Sequence, residues 1–317
     1  MKRKIIIDCD PGHDDAIAIL VAAAHPALDL LAITTVAGNA GLDQTTLNAL
    51  KVCEMAGIGN VPVAPGAGRP LVRNGEAAPA IHGSSGMDGP VLPEPSLQAA
   101  EEHAVDLIIR RLMESEGDIT LVPVGPLTNI ALALRREPRI VPKIQEIVLM
   151  GGGTFGNWTP AAEFNIWADA EAAQIVFGSG APVTMIGLDA THQALATPDI
   201  NGRIGALGNR VSGFAYELLQ YFGRTYKQFF NFDHPPVHDV CSVVYCIDPA
   251  IFDCRFLNVT VETKGELSYG MTLVDIHGVT GRPPNINTAL GLDHEKLWDV
   301  IIGALGRYGE GDGAGQD

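Results

Sequence analysis

Basic residues are scarce in this chain of 317 residues, where 21 Lys and Arg stand against 37 Asp and Glu and give a formal net charge of −16. An acidic surface repels the phosphates of nucleic acids and of anionic membranes, so we expect neither nucleic acid nor membrane as a partner. The sequence also has no cluster of Arg or Lys that could clamp a phosphate, which argues against nucleotides and sugar phosphates. A neutral small molecule is compatible with this charge.

Paired cysteines and long apolar runs are lacking as well. The five cysteines form no Cys-x-x-Cys pair and no zinc-type spacing, and their odd number fits a reducing compartment. No apolar run reaches the length that spans a membrane. The basic residues 1–4 are followed by only three isoleucines, too few for the core of a signal peptide. We therefore expect a soluble cytoplasmic protein.

Short β-rich runs alternate along the chain with longer segments of helical period. This alternation is typical of α/β folds in which helices cover a parallel sheet. The predicted strands are 4–9, 28–36, 61–64, 118–124, 146–150 and 183–188, with a late β-hairpin at 256–262 and 269–274. We find no internal repeat and no linker. We predict a single-domain, open, mostly parallel sheet with a Rossmann-like core over residues 1–308, and a disordered Gly/Asp-rich tail at 309–317.

The end of the first predicted strand carries a concentration of acidic residues. Asp8 and Asp10 lie on one face of the strand, and a Pro-Gly turn follows. Asp14 and Asp15 then open an apolar helix, whose N-terminus accommodates negative charge. A strand end plus a helix cap would explain one of the last two residues but not the first two. Because unpaired buried charge is costly, we expect a cation here, and oxygen ligands suit Ca²⁺ or Mg²⁺.

Polar residues also follow other predicted strands. Asn39, Asn157 and Asp189 lie at or just past the carboxyl ends of their strands, as does Val124 in the segment before Gly125. In open α/β sheets ligands bind at this edge, so we expect a site there. Asp, Asn and Glu side chains supply acceptors and amide donors for the hydroxyls of a sugar-like ligand.

Two segments leave their role open. Residues 65–95 are rich in Gly and Pro, contain His82, and fit either a functional loop or a plain surface loop. Aromatic residues recur at helical spacing between 218 and 230, a pattern that is more often core than binding surface.

The acidic stretch resembles the Asp-x-Asp-x-x-x-Asp-Asp signature of the inosine/uridine-preferring nucleoside hydrolases, which are calcium-dependent nucleoside N-ribohydrolases. Residues 122–129 look like the second metal-site loop of that family, and 163–166 look like its ribose-binding segment. Residues 191–195 and 237–239 also match in order and approximate position. Several matches together are more specific than any one, so the chain is identified as a member of this family.

The resemblance implies hydrolysis of the N-glycosidic bond of purine or pyrimidine ribonucleosides, such as inosine and uridine, to free base and ribose. A calcium-bound water would be activated by Asp10 as general base. The implied calcium ligands are Asp10, Asp15, Asp239 and the main-chain carbonyl of Val124, where many relatives have Thr. A homodimer or homotetramer is implied as well.

The resemblance also implies how the substrate is held. Asp8 would have no direct substrate contact, and Asn39 would support the acidic cluster or the attacking water. The implied ribose contacts are Asp14, Asn157, Glu163 and Asn165. The implied base contacts are His82, Phe164, Tyr226 and His238.

The acid that protonates the leaving base is less defined. His238 is the candidate because imidazole titrates near neutrality, although without the family it could be a plain helix-start residue.

Two other functions fit parts of the pattern. A metal-dependent phosphatase of the haloacid-dehalogenase type also begins with Asp-x-Asp, but it needs a Gly-Thr-like continuation and a later Lys. A non-catalytic nucleoside- or sugar-binding protein would not need Asp10. The sequence leaves the base preference open.

Overall fold

The protein, described here by a computed structural model over residues 2–309, is built on one mixed sheet. The strands of the described residues are β1 Arg3–Cys9, β2 Leu28–Thr35, β3 Val63–Pro65, β4 Ile119–Pro123, β5 Ile144–Met150, β6 Val183–Ile186, β7 Phe252–Val261, β8 Thr272–Asp275 and β9 Ile286–Leu292. Within residues 2–309 they form a nine-stranded sheet in the order β3-β2-β1-β4-β5-β6-β9-β7-β8.

Parallel pairing dominates this sheet. The neighbours from β3 to β9 in the spatial order are parallel, whereas β7 runs antiparallel to both β9 and β8. The predicted mostly parallel sheet and the late hairpin are therefore confirmed. The predicted tail at 309–317 lies outside the described residues except for Gly309.

Helices cover both faces of the sheet. They are α1 His13–Ala24, α2 Leu42–Met55, α3 Pro79–His82, α4 Ala104–Glu114, α5 Thr128–Arg136, α6 Phe164–Ala168, α7 Ala170–Phe177, α8 Leu188–Thr191, α9 Pro198–Gly205, α10 Arg210–Phe230, α11 Asp239–Ile247 and α12 His294–Gly306. Successive residues of β1 serve different cores: Ile5 and Ile7 pack in one apolar cluster and Ile6 in another. This explains why residues 5–7 of β1 are apolar at every position rather than at alternate ones. Among residues 2–309, no helix is both long and apolar enough to cross a membrane.

Two elements differ from the prediction. Strand β9 was not predicted, because its run contains Asn287 and Gly291, which favour strands poorly; pairing with β6 and β7 on either side decides its conformation. The amphipathic pattern of residues 96–115 predicts one helix, but α4 begins only at Ala104. The segment before it is held in another way, because the backbone amides of Ser96 and Leu97 donate to the carboxylate of Glu54.

Candidate active site

The turn between β1 and α1 is fixed by the carboxylate of Asp15. Its Oδ2 accepts from the backbone amide of Gly12 at 2.9 Å, and its Oδ1 accepts from the amide of Asp10 at 3.1 Å. Asp15 lies in the first turn of α1, where free amides and the helix dipole favour a carboxylate. The motif therefore folds into a turn that holds Asp10 and Asp15 next to each other.

Three carboxylates converge beside this turn. Oxygens of Asp14, Asp15 and Asp239 lie within 4.8 Å of one another, and all three residues are buried. Asp239 begins α11, and the amide of His238 before it donates to Asp14 Oδ2 at 3.1 Å. Burial, reinforced by the neighbouring carboxylates, raises the pKa of Asp14 to about 7 and that of Asp239 well above its usual value. None of the ion pairs among residues 2–309 involves these groups.

Asp10 adds a fourth carboxylate, with one oxygen held and one left open. Its Oδ2 accepts from the backbone amide of Asn39 at 2.7 Å, whereas its buried Oδ1 has no hydrogen-bond partner among residues 2–309. A Cβ at Gly38 or Gly125 would overlap this carboxylate, so only glycine allows the approach. Burial, followed by the charge of Asp15, raises the pKa of Asp10 well above its usual range.

Asp8 lies within β1, two residues before Asp10, and is held by neutral groups. Its Oδ1 accepts from the hydroxyl of Thr34 at 2.6 Å and from the side-chain amide of Asn129 at 2.8 Å. Burial raises its pKa to about 7. Asp8 does not line the cleft described below.

The loop after β5 brings amide and carboxylate groups to the other side of the site. Glu163 caps α6: its side chain accepts from the amide of Asn165 at 2.9 Å and from that of Gly152 at 2.9 Å. The Asn165 side chain donates to the main-chain carbonyl of Val124 at 2.8 Å. Asn157 accepts from the amide of Phe164 at 3.0 Å. Burial raises the pKa of Glu163 to about 7 although backbone amides oppose the shift.

His238 joins two hydroxyl groups at the far end of the site. Its Nδ1 lies 2.8 Å from Thr191 Oγ1, and its Nε2 lies 2.6 Å from Tyr226 Oη. Burial, with a contribution from His192, lowers the pKa of His238 well below its usual value. The imidazole is therefore neutral at rest, with one nitrogen protonated and the other accepting.

Comparison with known proteins shows which family has this sequence and fold. The family model described as inosine-uridine preferring nucleoside hydrolase matches residues 5–299. The chain belongs to this family. It is therefore an N-ribohydrolase, an enzyme that hydrolyses ribonucleosides to base and ribose. The function implied by the resemblance is confirmed, and the phosphatase and non-catalytic alternatives are not supported.

Two bacterial ribonucleoside hydrolases are similar to this chain over nearly its whole length. The chain is 46% identical over 310 residues to a pyrimidine-specific ribonucleoside hydrolase RihA of Shewanella sp. (strain ANA-3), covering 97% of this chain and 98% of the relative. It is 48% identical over 302 residues to a pyrimidine-specific ribonucleoside hydrolase RihB of Escherichia coli O157:H7, covering 95% and 96%.

Solved structures of the family share the fold. The purine-preferring ribonucleoside hydrolase from Gardnerella vaginalis superposes with a TM-score of 0.90 at 32% identity, covering 96% of this chain and 98% of that one. An inosine-guanosine nucleoside hydrolase gives a TM-score of 0.87 at 29% identity, covering 96% and 99%.

Most residues singled out in the sequence of this nucleoside hydrolase line one cleft at the carboxyl edge of the sheet. They are Asp14, Asn39, His82, Val124, Asn157, Glu163, Phe164, Asn165, Tyr226, His238 and Asp239. Asp10 and Asp15 do not line the cleft but connect to it through Asn39, whose side-chain amide lies 3.2 Å from Asp10 O and 3.3 Å from Asp15 Oδ2. Asp189 instead binds the loop at Thr154.

Part of the cleft lining is not predicted from the sequence. These lining residues are Ala78, Ile81, Met150, Trp158, Phe222 and Phe230. Phe222, Tyr226 and Phe230 recur every four residues on one face of α10. Phe222 and Tyr226 are buried in a small apolar cluster with Ile81, as the core interpretation predicts, and all three aromatic residues also line the cleft. Spacing gives the shared face but not whether that face meets a core or a cavity. The segment 65–95 also contains α3, which brings His82 to the cleft.

Proposed function

We propose that this nucleoside hydrolase binds Ca²⁺ through Asp10, Asp15, Asp239 and the main-chain carbonyl of Val124, and that pyrimidine ribonucleosides are its preferred substrates. The observation that carries the calcium proposal is the buried cluster of Asp14, Asp15 and Asp239, whose oxygens lie within 4.8 Å of one another, together with the nearby buried Oδ1 of Asp10, which lacks any partner within residues 2–309.

The donor set fits a hard divalent cation. All the proposed ligands are oxygen atoms, and no thiolate is among them. Within residues 2–309, no Lys or Arg forms an ion pair with these buried carboxylates. Several carboxylates, a carbonyl and the hydroxyls of a ribose make a crowded shell, which suits the six to eight ligands of Ca²⁺ better than the strict six of Mg²⁺. Calcium bound here would lower the pKa of a water molecule and orient both that water and the ribose diol.

Asp10 is placed to act as the general base. Asn39 holds Oδ2, so Oδ1 is the oxygen left to accept a proton. This oxygen can take a proton from water as the bond between C1′ and the base breaks. The backbone amide of Asp10 donates to the carboxylate of Asp15, and this hydrogen bond holds the proposed general base in position.

Ribose recognition is assigned to residues on both sides of the cleft. The groups are Asp14, Asn157, Glu163 and Asn165. Their carboxylates and amides offer hydrogen bonds to hydroxyls, and the carboxylates also stabilise the positive charge that develops on the sugar as the glycosidic bond breaks. Asn39 contributes by holding Asp10 and Asp15.

The leaving base is assigned to the aromatic end, where Phe164, Tyr226, His82 and His238 lie. Because Tyr226 Oη lies 2.6 Å from His238 Nε2, the two act as a pair. Tyr226 gives its hydroxyl proton to the base, the phenolate that results accepts a hydrogen bond from Nε2–H of His238, and it regains a proton from solvent after the base has left. Thr191 Oγ1 lies 2.8 Å from Nδ1 of His238, and its hydroxyl can donate to that nitrogen when Nε2 carries the proton.

A preference for pyrimidines is supported by the relatives at 46–48% identity, which are named pyrimidine-specific, whereas the solved purine-preferring and inosine-guanosine enzymes are 29–32% identical. The test is the release of ribose, measured as reducing sugar, from uridine, cytidine, inosine and adenosine. We expect kcat/KM to be highest for uridine or cytidine. A higher value for inosine would contradict the preference. The cytoplasmic location and the homo-oligomeric state stay predictions.

A further inference from the structure

His13, a residue of the acidic motif not assigned above, contacts the base end of the cleft through His82. It is fully buried, and its ring stacks on those of Tyr221 and Phe222, with centroids 5.0 and 5.2 Å away. Its Nε2 lies 2.8 Å from the main-chain carbonyl of Asp88, and its Nδ1 lies 3.2 Å from Nδ1 of His82. The two imidazoles and the carbonyl form one chain of hydrogen bonds.

The carbonyl sets the direction of this chain. A carbonyl oxygen only accepts, so His13 Nε2 must carry the proton. His13 is fully buried between the rings of Tyr221 and Phe222 and, among residues 2–309, contacts no carboxylate that could balance a positive charge, so its imidazole is neutral. The carboxylate of Asp88 does not reverse this, since Ser84 and Ser85 already donate to it.

It follows that His13 Nδ1 presents a lone pair. His82 Nδ1, which faces that lone pair, must then be the donor. His82 is also neutral, because burial and the neighbouring His13 and His238 lower its pKa well below its usual value. A neutral imidazole with a proton on Nδ1 has a lone pair on Nε2.

His82 lines the cleft, and its Nε2 makes no hydrogen bond to the protein within residues 2–309. We propose that His13 is a positioning residue that fixes His82 in the Nδ1–H tautomer, so that His82 Nε2 accepts a hydrogen bond from an N–H group of the nucleobase. The assignment of that partner rests on the function proposed above.

This arrangement gives the base end two complementary groups. Tyr226 presents a hydroxyl donor, paired to His238, and His82 presents an acceptor. Uracil and cytosine each carry carbonyl and N–H groups, so they can satisfy both. His82 is thereby a recognition residue, because in this tautomer it has no proton on Nε2 to give to the leaving base.

Nuclear magnetic resonance of the calcium-loaded enzyme labelled with ¹⁵N-histidine reads the tautomer directly. The chain has nine histidines, and His82→Gln identifies the signals of His82. Long-range correlations at neutral pH should show His82 protonated on Nδ1 and not on Nε2. In His13→Phe, which keeps a ring between Tyr221 and Phe222, that preference should be lost. Protonation of His82 on Nε2, or on both nitrogens, in the unsubstituted enzyme would overturn the proposal.

The kinetic test uses the ratio of kcat/KM for uridine to that for p-nitrophenyl riboside, which has no nucleobase N–H. His13→Phe should lower this ratio by about 3- to 10-fold, the usual effect of one neutral hydrogen bond, and mainly through the KM of uridine. The exposed His277 provides the matched control, His277→Phe, which should not change the ratio. An unchanged ratio in His13→Phe would refute the role of His13.

Substrate modification tests the acceptor itself. 3-Methyluridine lacks the ring N–H, and the unsubstituted enzyme should use it at least 10-fold less efficiently than uridine, with a smaller difference in His82→Ala. Equal discrimination in both enzymes would contradict the proposal. If neither uridine nor p-nitrophenyl riboside releases ribose, the proposed function fails instead, and the tautomer measurement still decides the role of His13.

Discussion

Removing the imidazole of His238 separates leaving-group protonation from the rest of catalysis. His238→Ala removes the contacts to Thr191 Oγ1 and Tyr226 Oη, but it leaves Asp10, the acidic cluster and the ribose contacts in place. Tyr226 would then lack the hydrogen bond from Nε2 that stabilises its phenolate after it has given its proton to the base. A positioned acid typically accelerates a reaction by 10²- to 10⁴-fold, so we expect kcat for inosine and uridine to fall by at least about 10²-fold, or roughly 2.7 kcal/mol in the barrier.

The comparison substrate is p-nitrophenyl riboside, because p-nitrophenolate leaves as a stable anion. Its hydrolysis by His238→Ala should change by no more than about a few-fold, since no proton transfer to the leaving group is required. Absorbance changes on release of nitrophenolate and of the free bases follow both reactions. Equal losses on inosine and the nitrophenyl substrate would refute the acid role and leave His238 as a structural neighbour of Asp239.

The distance of 2.6 Å between His238 Nε2 and Tyr226 Oη adds a sharper requirement. If the proton passes through the hydroxyl, Tyr226→Phe should reproduce the loss seen in His238→Ala, and the double variant should be little worse than either single one. Additive losses in the double variant, or a Tyr226→Phe enzyme as fast as the parent on inosine, would exclude this route.

Three further predictions concern the acidic and ribose groups. Asp10→Asn should lower kcat for uridine by at least ~10²-fold, because an amide cannot accept the proton, without lowering the melting temperature; activity within a few-fold of the parent would contradict the base assignment. 2′-Deoxyuridine should be hydrolysed ~10⁴-fold less efficiently than uridine, because buried groups built for the hydroxyl lose their partner; comparable rates would require another sugar position. After chelation, the folded pKa values of Asp14 and Glu163, about 7, exceed their values of about 4 in the unfolded chain, so the folded state binds more protons between those values. The unfolding free energy of the chelated protein should therefore fall as pH rises from 5 to 8, and the melting temperature in scanning calorimetry should fall with it. A melting temperature that rises over this pH range would contradict the raised pKa values.

The sequence was most informative where local pattern decides the structure. The run from Ile5 to Ile7, buried at every position, predicted a central strand, and alternation along it predicted that Asp8 and Asp10 share a face. Strand direction alone then predicted that Asn39 and Asn157 would reach the same edge of the sheet, which they do.

The remainder depends on contacts between segments that are distant in sequence. Strand β9 has a weak local preference and is held by its two neighbouring strands. Phe222 and Phe230 could not be assigned to a cleft from spacing, because the same face of a helix can meet a core. The role of His13 depends on the carbonyl of Asp88, 75 residues away in the chain, and no pattern in the sequence records that contact.

The most direct test of this account is the calcium dependence of ribose release. The enzyme is chelated exhaustively and dialysed free of chelator, and Ca²⁺ is then titrated in while ribose release from uridine is measured. We expect negligible activity without the ion and full recovery when about one Ca²⁺ per chain is bound, because the described residues offer one buried cluster of carboxylate oxygens for a metal ion. Full activity of the chelated enzyme, or recovery with Zn²⁺ but not with Ca²⁺, would contradict the account.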